Sequence, residues 1–236
     1  MLYDVSEEKY IDRYSVYGDL RRNDLALIEP IPQGSWKPLI DAAVLVSRYN
    51  YRVPESLSFV SPPSSLLNER EQKDLLVSIL TGSSPKEGLN LLFDNGFVEV
   101  HWPEMYHMKE VAHSKEHHPE GDVWDHTLET FKYRKTKDLV LGLGLLLHDI
   151  GKPWSLKKNG RQFDRHSQIG SKISEQFLRR LGFKEDLIEQ VTFLVQEHML
   201  PGYISSLRTV KLEEIMSSQL FPLLLELYRC DLSSTF

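Results

Sequence analysis

Leu139-Val-Leu-Gly-Leu-Gly-Leu-Leu-Leu-His148-Asp149-Ile-Gly-Lys152-Pro153 is the stretch whose reading decides the fold. Nine residues, Leu139 to Leu147, carry neither a charge nor a polar side chain. Preceded by the polar Lys135-Thr-Lys-Asp138, such a run predicts a helix buried on nearly all sides. Gly151 and Pro153 are expected to stop it, glycine by relaxing the backbone and proline by ending the hydrogen-bond ladder. His148 and Asp149 then stand at the inner end of a core helix. A carboxylate left unpaired there costs on the order of several kcal/mol, and a bound cation removes that cost. The stretch reads as a metal seat.

The flanking segments carry matching signals. Val123 to Tyr133 predicts a helix beginning near Asp122, with Val123, Leu128 and Phe131 inward and His126 and Thr130 on another stripe. Ser167 is a candidate cap for a helix from Gln168 to Leu181, closed by Gly182. In the helix expected from Glu185 to His198, Leu187, Val191, Leu194 and His198 share one face. A last helix, from Gln219 to Asp231, repeats that spacing with Leu220, Leu224, Leu227 and Asp231. Its Pro222 is tolerable only in the first turn. A lone histidine ending an apolar stripe is ordinarily a satisfied core residue, whereas a lone aspartate ordinarily has an electrostatic partner. Both together, beside a His-Asp pair, point to one shared site.

Further upstream, Leu39, Ile40, Ala43, Val44 and Val46 mark an amphipathic helix from Pro38 to Val53, ending before Pro54. Pro62-Pro63-Ser64-Ser65 is loop chemistry and the best boundary, dividing a neck-like helical extension (1–66) from the remainder (67–236). Asn68 is expected to cap a helix running to Leu80, and a further helix covers Pro85 to Asn95 with Gly96 as its cap. Residues 101 to 121 hold His101, His107, His113, His117 and His118, at spacings that define no single helical face. Metal binding by the whole tract is not expected, although His117 or His118 could line a pocket. No strand pattern, repeat or low-complexity tract stands out. The expected fold is all-α, a helical bundle.

Composition sets the frame. Hydrophobic residues at 41% and charged residues at 26% suit a water-soluble globular chain of 236 residues. The single cysteine, Cys230, excludes an intramolecular disulfide framework. No signal peptide or membrane-spanning run is visible, so a cytoplasmic protein is expected. A net charge of −6 argues against a strongly nucleic-acid-binding domain. Between the His-Asp pair and His166, however, Lys152, Lys157, Lys158, Arg161 and Arg165 are opposed only by Asp164. In an arbitrary loop these would be a solvated face; beside a metal seat they suggest a rim that attracts anions.

His126, His148, Asp149 and Asp231 supply two imidazoles and two carboxylates from three expected helices. Such a set suits Mn²⁺, Fe²⁺, Co²⁺, Ni²⁺ or Zn²⁺, and with water ligands accepts Mg²⁺. His166 and His198 could complete a second site with Asp149 bridging two ions, or contact substrate phosphate and move protons.

The ordered residues His126, His148-Asp149 and Asp231 resemble the H…HD…D signature of the HD-domain metal-dependent phosphohydrolases. The segment His118-Pro-Glu-Gly-Asp-Val-Trp-Asp-His-Thr127 is similar to the opening of the HD domain in bacterial tRNA nucleotidyltransferases (CCA-adding enzymes) and polynucleotide adenylyltransferases. Ser84 to Gly96, followed by Trp102-Pro-Glu104, looks like the helical region just before it. The resemblance covers residues 68 to 231, with a fainter echo of the neck helices from Asp41 to Phe59. The Gly-rich turn and paired strand carboxylates of the nucleotidyltransferase head have no counterpart, so nucleotide addition is not expected of this chain alone. Where the resembling enzymes often carry Gly-His-Glu, this chain has Arg165-His166-Ser167.

The resemblance implies phosphatase, 2′-nucleotidase or 2′,3′-cyclic phosphodiesterase chemistry on nucleotides or RNA 3′ ends. His126, His148, Asp149 and Asp231 would hold the metal, Lys152 would steady the phosphate, and His166 and His198 would act as acid/base groups or second-metal ligands. Two other readings stand beside it: a non-catalytic RNA- or partner-binding remnant of a nucleotidyltransferase, and oxidative chemistry at a di-iron centre.

Overall fold

The computed structural model describes residues 2–4, 9–11, 17–25, 34–53, 66–111, 121–158, 161–206, 213 and 215–235. The helices are α1 (Tyr17–Arg22), α2 (Lys37–Tyr49), α3 (Glu69–Leu80), α4 (Pro85–Asp94), α5 (Phe97–His101), α6 (Pro103–Tyr106), α7 (Val123–Thr130), α8 (Leu139–Leu147), α9 (His166–Arg180), α10 (Glu185–Glu197) and α11 (Phe221–Ser234). The expected helical fold is therefore observed. Two short antiparallel hairpins are added: β1 (Leu2–Asp4) with β2 (Lys9–Ile11), and β3 (Leu156–Lys158) with β4 (Arg161–Asp164). Strands of three or four residues are too short for a period-two pattern to register. The sequence between β3 and β4 is Asn159-Gly160, the dipeptide favoured at hairpin turns.

Caps fix where the helices start. Asn68 Oδ1 accepts from the Glu71 N–H at 2.9 Å while Glu71 Oε2 accepts from the Asn68 N–H at 3.0 Å, a reciprocal capping box. Asp122 accepts from the Asp125 N–H at 2.9 Å to begin α7, and Asp138 from the Leu141 N–H at 2.8 Å to begin α8. Ser167 is not the cap of α9. The chain leaves β4 through Arg165, which takes the N-cap position with φ 59°, and the helix begins at His166. The last helix also runs one turn past Asp231, to Ser234.

The core forms around α8. Every residue from Leu141 to Leu147 is buried. A Cβ added at Gly142 would meet Leu80 of α3, and one at Gly144 would meet Leu194 of α10 and Leu227 of α11 at 3.0 Å, so three helices close directly on this one. Trp36, Leu39 and Ala43 of the α2 region join the same core as Leu75, Leu76 and Ile79 of α3.

Gly151 has a role other than backbone relaxation. Its φ is an ordinary −82°, but a Cβ there would lie 2.1 Å from the His166 carbonyl oxygen and 2.5 Å from the Gly170 nitrogen. The turn after Asp149 thus packs backbone-to-backbone on the start of α9, which sets His166 beside Asp149. A methyl group at this point has only main chain to displace. Gly151→Ala is expected to destabilise the protein by about 1–3 kcal/mol, seen as a lowered midpoint in denaturant unfolding.

Candidate metal centre

Five helices bring the site together. His126 lies in the middle of α7, His148 and Asp149 directly follow α8, His198 directly follows α10, and Asp231 sits in the last turn of α11. His166 opens α9. All six side chains share one centre, with His148 fully buried, His126 and His198 each 1% exposed, and Asp149 2% exposed.

Two donor sets meet at Asp149. On one side, His126 Nε2 is 2.9 Å from Asp231 Oδ1, and His148 Nε2 is 3.7 Å from the same oxygen. Asp149 Oδ2 faces this group, 3.3 Å from His148 Nε2 and 3.9 Å from His126 Nε2. On the other side, Asp149 Oδ1 is 3.5 Å from His166 Nε2 and 3.8 Å from His198 Nε2. The tightest clusters of possible ligand atoms are accordingly His126–His148–Asp231 and Asp149–His166–His198, each within 4.8 Å. Asp149 thus stands between two triads, with one oxygen toward each.

Hydrogen bonds settle which ring nitrogen is available. The Nδ1–H groups of His148, His166 and His198 donate to the carbonyls of Leu145, Phe163 and Val195 at 2.8, 2.9 and 2.8 Å. Ser234 Oγ–H donates to the Asp231 carbonyl at 2.6 Å, which leaves the hydroxyl oxygen to accept from His126 Nδ1–H at 3.3 Å. All four imidazoles therefore turn Nε2 inward, the tautomer that ligates a cation. His148 Nε2 is buried with no hydrogen-bond partner, and the Nε2 atoms of His166 and His198 face each other at 3.2 Å. Two lone pairs at that distance repel unless a proton or a cation lies with them. A divalent metal fits this donor set on both sides.

Burial alone would lower the His148 pKa, but the Asp149 and Asp231 carboxylates outweigh it and hold it up at about 10. Burial and the nearby His148 push His198 down to about 4, and burial likewise lowers His166. For Asp149, burial favours the neutral acid, yet Lys152 and His148 hold the carboxyl well below the usual range. Asp231 is held down by His126 and His148 against the same burial. Lys152 is 11% exposed, with Nζ 2.5 Å from Asp149 Oδ2 and 5.3 Å from the Phe163 ring centre. It is thus engaged with the carboxylate as well as available at the cavity wall.

The cavity over the centre has a volume of about 310 Å³ and is lined by His126, Asp149, Lys152, His166 and Asp231 among others. Phe163, Met199, Tyr228 and Leu232 also line it, and the sequence reading missed them. Tyr228 could have been found, because it lies one turn before Asp231 on the same helix face. Phe163 has φ 62°, a backbone state with no sequence signature outside glycine and asparagine. Of the histidine tract, His101 is a core residue, stacked on Phe97 at 4.2 Å with Nε2 accepting from the Leu67 N–H at 3.0 Å. His107 is turned toward Glu110. His113, His117 and His118 lie outside the described residues, as do the side chains of Lys157, Lys158 and Arg161. Arg165 is exposed.

Residues 105–220 match the family model described as HD domain. This segment is an HD domain. The matched range holds His126, His148, Asp149, His166 and His198, while Asp231 lies beyond it on α11. The Multifunctional CCA protein of Shewanella denitrificans is 29% identical over 121 residues, 50% of this chain and 29% of that protein. The A-adding tRNA nucleotidyltransferase of Deinococcus radiodurans is 27% identical over 136 residues, 54% of this chain and 31% of its own length. The Multifunctional CCA protein of Xylella fastidiosa is 25% identical over 228 residues, 91% of this chain and 54% of that protein. The chain therefore spans between 29% and 54% of the length of these relatives. Among the described residues, no helix is long and apolar enough to cross a membrane.

The opposed shifts of His198 and His148 set a pH optimum for the metal-free protein. Below the ordinary value of 6.5, the unfolded chain takes up a proton that His198 refuses until about 4, so stability falls as the pH drops. Above 6.5 the folded His148 keeps a proton until about 10 that the unfolded chain has lost, so stability falls as the pH rises. Unfolding midpoints of chelator-treated protein are expected to peak near pH 6.5.

Proposed function

We propose that the protein is a metal-dependent phosphohydrolase acting on nucleotide or RNA-end phosphoesters. The observation that carries this reading is the convergence of four Nε2 atoms on Asp149 and Asp231, two carboxylates that line one cavity. His126, His148 and Asp231 would hold one divalent ion, with Asp149 as a shared ligand. His166 and His198 would complete a second site through the other oxygen of Asp149. The donor chemistry admits Mn²⁺, Fe²⁺, Co²⁺, Ni²⁺, Zn²⁺ or hydrated Mg²⁺. When bound, such an ion supplies a water of lowered pKa and neutralises charge on a phosphoryl oxygen.

The protein's own groups do the rest. Lys152 keeps Asp149 ionised and places a positive charge where a phosphate would sit. In a one-ion form, His166, which lines the cavity with Nδ1–H held by the Phe163 carbonyl, would accept a proton at Nε2 from an attacking water, with His198 buried behind it. The apolar wall of Phe163, Tyr228 and Leu232 suits a ligand with a flat apolar part. A relative named as an A-adding tRNA nucleotidyltransferase supports nucleotides or RNA ends as the substrate class. We also propose that residues 1–66 act as a neck-like extension of the unit formed by 67–236.

Asp149→Ala is expected to lose metal and phosphoester turnover together, read by elemental analysis beside a panel of nucleotide 2′-, 3′- and cyclic phosphates. Full turnover in that variant would overturn the assignment. His198→Ala is expected to reduce bound metal from two ions to one per chain. The partial span of the nucleotidyltransferase relatives favours one competing reading, a non-catalytic RNA-binding remnant. Metal-loaded wild-type protein that turns over no member of the panel would establish it.

A further inference from the structure

Away from the metal centre, a second cavity of about 520 Å³ opens between the start of α4 and the turn that leads into α8. Five of its lining residues are cationic, Lys86, Lys132, Arg134, Lys135 and Lys137, against the two carboxylates Glu87 and Glu129. Five minus two leaves a local excess of three positive charges on a chain of net −6. The field in the cleft is therefore opposite in sign to that of the molecule as a whole.

The cations are not all consumed internally. Glu129 is shared by Lys86 at 2.5 Å and Lys132 at 3.2 Å. Arg134 donates to the carbonyls of Leu80 and Gly82 at the end of α3, which clamps the turn in place without neutralising the guanidinium. Lys137 Nζ donates to Ser83 Oγ at 2.8 Å, and Lys135 is exposed. Neither Lys135 nor Lys137 forms a salt bridge among the described residues.

We propose that this cleft binds the phosphodiester backbone of a single RNA strand. Lysine ammonium groups serve as mobile point charges for phosphate, and hydroxyls such as those of Ser83, Ser84 and Thr136 are typical further donors to phosphate oxygens. The one aromatic residue of the lining, Phe131, is buried. The cleft thus offers charge to a backbone and no open stacking face to bases, so it binds without reading sequence. Its place in the fold gives the contact a use. Lys137 immediately precedes α8, whose other end carries His148 and Asp149. Nine helical residues separate the cleft from the metal centre by about 13 Å, on one rigid element.

The binding is independent of hydrolysis, so it is tested with metal chelated, by fluorescence anisotropy of a short labelled single-stranded RNA of mixed sequence across a salt series. Lys135→Glu combined with Lys137→Glu is expected to weaken binding at least ~10-fold and to flatten the log K against log salt slope by about 1.4, the share of two phosphates. Lys135→Gln with Lys137→Gln is expected to act in the same direction by a smaller factor, and thermal unfolding checks that each variant is folded. The same charge reversal at the exposed Lys172 and Lys184, outside the cleft, is expected to change affinity less than about twofold. An unchanged affinity and slope in the folded cleft variants would overturn the proposal. So would an equal loss in the Lys172/Lys184 control, or equally tight binding of a poly-aspartate peptide in place of RNA.

Discussion

A single carboxylate, that of Asp149, imposes most of the arrangement around it. It sits 2% exposed at the end of a helix whose flanks are leucine and glycine. An ion buried there without partners costs roughly 3–5 kcal/mol, so the fold must bring positive or proton-bearing groups to it from every side. Lys152 does so locally, three residues on, and His148 does so from the preceding position. His126, His166 and His198 come from three other helices. The close approach at Gly151 and the small residues of α8 are the steric conditions for those helices to arrive.

Helix ends do two jobs here. His148 and His198 each stand one residue past the last turn of a helix, and each donates Nδ1–H to a carbonyl three residues back. Those carbonyls are among the last four of α8 and α10, which lack partners within the helix. The same hydrogen bond therefore finishes the helix and fixes the imidazole tautomer. A histidine at an ordinary mid-helix position has no free carbonyl in reach, so the placement of both residues at C-termini is tied to the chemistry of the centre. Ser234 serves His126 in the corresponding way from a different element.

Much of this was legible in the chain. The apolar run before His148 announced a buried helix, and stripes ending in His198 and Asp231 announced where two other helices would point. The asparagine and aspartate caps at Asn68, Asp122 and Asp138 lay within reach of local chemistry. What could not be read depends on contacts across the fold. The entry to α9 is set by a left-handed Arg165 after a hairpin, which no helix-capping rule anticipates, so Ser167 looked like the cap. The apolar cavity wall draws Phe163 and Met199 from two segments with no shared spacing. The sequence left His166 and His198 either as second-site ligands bridged by Asp149 or as contacts to phosphate and protons; only the fold sets both rings beside Asp149 Oδ1.

The pairing of His126 with Asp231 joins positions 105 residues apart. A ribosome adds roughly 5–20 residues each second, so the imidazole emerges several seconds before its carboxylate. Until α11 docks, the nascent chain holds an incomplete ligand shell with His148 and Asp149 still short of a partner. An ion held by His126, His148 and Asp231 would therefore report that α11 has docked, so its capture would follow the arrival of that helix.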